Sequence, residues 1–217
     1  MRFVNKWAYG CAVQLAGIMN ESHQQRAVYY YGFQIIIGAL VKGAVLAAVS
    51  LLLGILLPSV LIAFTFGTLR LLAGGYHMDT YGKCLLVSLA LFTAAGLTAQ
   101  HTGYYWSAAQ LGVLAAVTFA FGLYAVLRYA PSDTPNKRIT EEAKRKKLKM
   151  LSAAWLGIWL LTVTLLVFLG AGMAVLALCF AVLLETFTVT PAGHVFFESI
   201  KNGLGKRKAA YEKKTET

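Results

Sequence analysis

FQIIIGALVKGAVLAAVSLLLGILL, residues 33–57, is interrupted only by Gln34 and Lys42. As a helix this stretch extends about 37 Å, more than the roughly 30 Å of a bilayer's hydrocarbon core. A run this long and this poor in charge reads as a membrane span, and Pro58 is expected to end it. Further apolar runs follow at 59–73, 85–99, 107–127, 150–169 and 173–189, the last two joined by a tight connection at 170–172. The whole chain is 58% hydrophobic and 13% charged, with a mean hydropathy of +0.63. A soluble domain of this size would carry more charge. The expected fold is an all-α polytopic bundle of six hydrophobic helical segments. The second and third are short, roughly 22 Å each as helices. A four-crossing arrangement, with those two as a re-entrant hairpin, stays open.

Ahead of the first span, Phe3, Trp7, Cys11, Leu15 and Ile18 recur at spacings of four and three. Val4, Ala8 and Met19 join that face. The pattern predicts an amphipathic helix lying in the membrane interface rather than a cleaved signal. Three regions result: an interfacial region at 1–30, an integral membrane domain at 31–190, and a basic tail at 191–217.

The net charge of +11 concentrates in two places. One is 128–149, with Arg128, Lys137, Arg138, Lys144, Arg145, Lys146, Lys147 and Lys149; the other is the tail. The segment 100–106 has no lysine or arginine and ends in Tyr104, Tyr105 and Trp106. By the positive-inside rule the basic segments face the cytoplasm and 100–106 faces outward. The stretch between the two short runs then also faces the cytoplasm. Anionic lipid headgroups are natural partners for the basic residues. No aromatic platform accompanies them, which argues against nucleic-acid binding.

That cytoplasmic stretch is RLLAGGYHMDTYGKC, residues 70–84. Gly74 and Gly75 would each cost about 1 kcal/mol in a helix interior, so they point to a turn. His77 and Cys84 suit a base and a thiolate nucleophile. On one straight helix they would lie about 10.5 Å apart along the axis, too far for the short cysteine side chain. The pair requires a backbone turn, which Gly75, Gly82 and the polar sequence Asp79–Thr80–Tyr81 permit. Asp79 is a candidate to orient the histidine. Arg70, costly inside an apolar run, either holds a substrate carboxylate or pairs with Glu185. Taken alone, a histidine and a cysteine at this spacing are more often structural than catalytic. Cys11 and Cys179 read as packing residues. There is no CxxC pair, phosphate-binding glycine loop or acidic metal cluster, so neither a metal nor a cofactor is expected.

The chain resembles the accessory gene regulator B family, membrane cysteine endopeptidases of Gram-positive peptide quorum sensing. Arg70, Ala73–Gly74–Gly75–Tyr76–His77 and Cys84 fit its Arg…Gly-Gly-x-His…Cys signature. Residues 130–137, followed by Arg145 and Leu148–Lys149, fit its charged central loop, and the apolar blocks agree over roughly 25–190. Tyr76 departs from the pattern as a bulky aromatic before the histidine. The resemblance implies cleavage of an AgrD-type pro-peptide by Cys84 and His77 through a thioester. It further implies cyclisation to a thiolactone or lactone at the cytoplasmic face of the cell membrane. It makes the 137–149 run, with Lys137, Lys144, Arg145, Lys146 and Lys147, a docking surface for the pro-peptide's acidic tail, and it implies a homodimer. Two other classes compete. A small transporter would use Lys42, Arg70 and Glu185 as a path, although no internal repeat is visible. In a non-enzymatic scaffold, His77 and Cys84 would only pack.

Overall fold

The computed structural model describes residues 2–19, 21, 23–76, 78, 80–132 and 141–215. Among these no strand forms, and the chain runs through eight α-helices, α1 Arg2–Ile18, α2 His23–Leu52, α3 Leu56–Ala73, α4 Tyr81–Thr102, α5 Ala108–Tyr129, α6 Glu142–Phe168, α7 Gly172–Val189 and α8 Pro191–Thr215, with a 3-10 turn at Gly103–Tyr105. Six of them, α2 to α7, are long and apolar enough to cross a membrane. This is a multi-pass membrane protein.

The apolar pattern explains which helix sits where. α7 is apolar all round and forms the centre, with Val175, Leu176, Ala177, Cys179, Ala181 and Val182 fully buried. α3, α4, α5 and α6 pack around it. α2 is equally apolar but presents Ile35, Ile36, Leu40, Leu51 and Leu52 outward, as a lipid-facing helix should. The connections alternate between two ends. Gly103 and Gly172 meet at one. At the other, Gly74 bridges Ser132 and Tyr76 bonds Thr188. Six passes with both termini at the same end satisfy these contacts.

Several boundaries differ from expectation. Pro58 does not end the first span: α2 stops at Leu52, and Pro58 sits in the first turn of α3. A proline is tolerated there because the N–H it lacks would have no partner inside the helix. The second and third crossings are also longer than the apolar runs suggested, at 18 and 22 residues. α4 takes in Tyr81 to Cys84 at its start and Gln100 to Thr102 at its end, with Thr98 already inside the expected run. Both threonine hydroxyls donate back to carbonyls one turn earlier, Ala94 and Thr98. This hides polar side chains inside a spanning helix.

α1 is a helix as expected, but its buried face is Val4, Ala8, Ala12 and Ala16, while Trp7, Ile18 and Met19 are exposed. The small residues let it lie antiparallel on the first half of α2. There Gln34 donates to Asn5 (2.9 Å), and Tyr9 meets Tyr30 edge-on. The second half of α2 runs alongside α4, with Gly38 at Tyr81 and Lys42 at Cys84. The basic run is not wholly a loop, since residues 144–149 form the opening turns of α6.

Candidate active site

α3 ends at Ala73 and α4 begins at Tyr81, so the two helices are separate and are joined by residues 74–80. His77 and Asp79 themselves, and Lys137, lie outside the described residues. The start of the turn is built by two glycines. Gly74 has φ +76°, and a Cβ there would meet the Ser132 carbonyl oxygen at 2.4 Å; the Ser132 N–H donates to the Ala73 carbonyl (2.9 Å). Gly75 has φ +130°, and a Cβ on it would run into Thr188 Oγ1 at 2.4 Å and Arg70 Nη1 at 3.0 Å. Only glycine adopts these angles freely and leaves this space.

Arg70 fastens the turn to the bundle. Its guanidinium donates to Glu185 Oε2 (3.1 Å) and Thr188 Oγ1 (3.2 Å), and its second terminal nitrogen donates to the Tyr76 carbonyl. Glu185 is fully buried in α7. Of the two roles open to Arg70, the geometry gives the pairing with Glu185. Taking both charges out of water costs free energy that close pairing and extra hydrogen bonds must offset. The Thr188 hydroxyl, a turn along α7, supplies one by donating toward Glu185.

Tyr76 is held from every side. Its N–H donates to the Thr188 carbonyl (3.1 Å) and its hydroxyl to Glu198 Oε2 (2.7 Å). Its ring stacks on Phe197 and meets His194 edge-on. The sequence offered only a faint signal for this: His194, Phe196 and Phe197 form an aromatic cluster beyond the last apolar run, at the head of the basic tail.

Cys84 lies in the first turn of α4 and is half-buried. Its N–H donates to the Thr80 carbonyl (3.1 Å), so that group is committed to the helix. Its sulfur borders a cavity of about 350 Å³ whose walls include Leu46, Phe66, Phe92 and Leu184, with Arg70 and Tyr76 on the side of the turn. Lys42, from α2, donates to Cys84 Sγ (3.1 Å). A half-buried thiol, an apolar cavity and the start of the turn are thus brought together from four helices and one connection. Among the described residues no group of His, Cys, Asp and Glu is placed to hold a metal ion. Cys179 is buried far along α7, and Cys11 is half-buried on α1.

The basic run divides. Arg145 and Lys149, one turn apart, reach back to the carbonyls of Pro131 (3.4 Å) and Leu127 (2.9 Å). Lys144, Lys146 and Lys147 are exposed. Because Ser132, the neighbour of Pro131, bridges Gly74, this basic surface adjoins the candidate site.

Fold and site together define a helical multi-pass membrane protein with a half-buried cysteine opening on an intramembrane cavity at one end of the bundle. The profile of the family Accessory gene regulator B matches residues 7–189, and the chain belongs to that family. Relatives include a Clostridium perfringens strain 13 protein named "Putative AgrB-like protein 2", 25% identical over 90% of this chain and 95% of its own length. A second from C. perfringens strain SM101 is 26% identical over 87% and 92%. An AgrB-like protein of Listeria welshimeri is 32% identical over 55% of each chain. No solved structure matches. Membership places the chain in agr quorum sensing and, in general terms, in the processing of an AgrD-type peptide.

Proposed function

We propose that the protein is a membrane-embedded cysteine endopeptidase that removes the C-terminal tail of an AgrD-type pro-peptide and cyclises the remainder. The observation that carries this reading is Cys84 itself: a half-buried thiol at the mouth of an apolar cavity, one short turn from His77 in sequence. Cys84 thiolate attacks the scissile carbonyl. The C–N bond breaks, His77 hands the leaving amine the proton it took from the thiol, and the peptide stays on Cys84 as a thioester. The thiolate of a cysteine within the peptide then attacks the thioester carbonyl. The C–S bond to Cys84 breaks, releasing a thiolactone; a peptide serine would give a lactone. Amide to thioester is uphill and thioester exchange is nearly neutral, so removal of the tail draws the reaction forward.

Arg70, Gly74 and Gly75 support the site by shaping the turn, and Asp79 orients His77. Lys144, Lys146 and Lys147, with Lys137, receive the acidic tail of the pro-peptide and meet anionic lipid at the cytoplasmic face. Arg145 is occupied in holding the Pro131 segment. The transporter reading loses support because the Arg70 charge is matched by Glu185 rather than offered to a path.

The test is reconstitution of the full chain in liposomes with the cognate pro-peptide. The released tail and a hydroxylamine-sensitive adduct on the Cys84 peptide are followed by mass. An adduct on Cys11 or Cys179, or unchanged cleavage by Cys84→Ala, would end the assignment.

A further inference from the structure

Two cations enter the bundle beside the same cavity, and they are matched differently. Arg70 has a buried carboxylate. Lys42, in the middle of α2, has none among the described residues: its ammonium donates to Cys84 Sγ at 3.1 Å and lies 4.9 Å from the centre of the Tyr81 ring. Intramembrane lysines are rare and costly, and they pair with something. A neutral thiol is a poor acceptor and a weak counter-charge; a thiolate is a full one.

The placement is built rather than incidental. Tyr81 opens α4 three residues before Cys84, and its hydroxyl donates to the Gly38 carbonyl (2.6 Å) on α2, one turn before Lys42. A side chain at position 38 would meet the Tyr81 ring at 2.9 Å, so Gly38 makes room for it. The ring lies against Lys42 as a cation–π wall. Gly38, Tyr81 and Lys42 thereby clasp α2 to the first turn of α4 and fix the ammonium on the sulfur.

We infer that Lys42 is a further catalytic residue, the cation that faces the Cys84 sulfur beside the cavity and balances its negative charge when it acts as nucleophile and leaving group. This deepens the peptidase reading and rests on it for its catalytic part. No proton leaves Lys42 at any step. The thiol proton goes to His77 and then to the leaving amine, while the ammonium balances the negative sulfur before attack. It balances the sulfur again when the second acyl transfer returns it as thiolate. While the sulfur is acylated it carries no charge, and the ammonium's donors are released toward the carbonyl oxygen beside it.

The experiment compares alkylation of Cys84 by iodoacetate and iodoacetamide in the full chain in liposomes, read on the Cys84 peptide by mass. Both reagents consume the same thiolate, so the ratio of their rates cancels the thiolate fraction and reports positive charge at the sulfur. Lys42→Met should lower the iodoacetate-to-iodoacetamide ratio by about four-fold or more, and Lys42→Arg should keep it. In the processing assay Lys42→Met should lower kcat at least about ten-fold with KM for the pro-peptide little changed, and Lys42→Arg should recover part of it. Removing an intramembrane charge favours insertion, and Lys42→Gln is the second variant should Lys42→Met not accumulate. An unchanged ratio overturns the inference whatever the activity. A lowered ratio with unchanged kcat overturns its catalytic part. If instead Cys84→Ala still processes peptide, the peptidase reading is what has failed, and the alkylation ratio still decides the pairing.

Discussion

The two ends of the 74–80 turn are furnished with similar residues and put to different uses. On the α3 side, Arg70 is bound to Glu185, Thr188 and the Tyr76 carbonyl, and Gly75 leaves just enough room for that cluster. Every polar atom of Arg70 used there is spent on holding shape. On the α4 side, Cys84 and Lys42 touch each other and face open space. What separates them, among the described residues, is the carboxylate: the Arg70 cation has Glu185 and holds shape, whereas the Lys42 cation meets the Cys84 sulfur. The prediction of this contrast is that damage to the α4 side removes activity and spares the fold, whereas damage to the α3 side removes both.

The largest effect belongs to Cys84→Ala, expected to abolish tail release and the covalent adduct while leaving the thermal transition of the purified protein in place. Cys84→Ser should be nearly as damaging, since a hydroxyl is far harder to ionise than a thiol. Substituting His77 should leave an inserted but inactive protein. A Cys84→Ala protein that unfolds early would break the contrast. Next, Arg70→Met strands the buried Glu185 carboxylate and should destabilise the bundle by about 3–5 kcal/mol. Thermal unfolding in detergent reads this directly, and a wild-type transition would show that the pair is not holding the turn.

Gly75→Ala should cost about 1–3 kcal/mol, through the left-handed backbone and the contact with Thr188. Here processing should fall further than stability, because Gly75 precedes the proposed base His77 by only two residues in the chain. Neutralising Lys144, Lys146 and Lys147 together touches neither side of the turn. Processing should slow several-fold, with the wild-type reaction itself weakening as salt rises; a salt-independent wild-type rate would remove the docking role. Smallest is Cys11→Ala, on the α1 surface, expected to change stability by less than about 0.5 kcal/mol and activity not measurably.

The six hydrophobic helices were legible in the sequence, with four crossings left open beside six, because lipid imposes a length and a composition that no tertiary contact can override. Helix ends were less so. Pro58 looks like a stop and is a first-turn residue, and Thr102 looks like loop and is helix, its hydroxyl satisfied one turn back at Thr98. At the candidate site, the need for a turn between His77 and Cys84 followed from helix geometry, and the Arg70–Glu185 pair was one of two readings that the scarcity of intramembrane charge allowed. Lys42 could be seen only as an interruption of the first span or as part of a transport path. Its meeting with Cys84 joins residues 42 apart through the register of α2 on α4, and no local pattern encodes a register between distant helices. The clasp on Tyr76 was hidden for the same reason: Glu198 and Phe197 lie in a segment whose composition reads as tail.

That clasp has a consequence for anyone recombining these proteins. The residue preceding His77 takes its hydrogen bonds from α3, α7 and α8 at once, and two ring contacts from α8. The C-terminal segment is therefore not an interchangeable appendage. In a chimera that takes residues 1–189 from this chain and the remainder from a relative, position 76 and the aromatic pair at the head of α8 should be transplanted as one unit. A graft that splits them leaves a bulky tyrosine without its seat, immediately beside the proposed base.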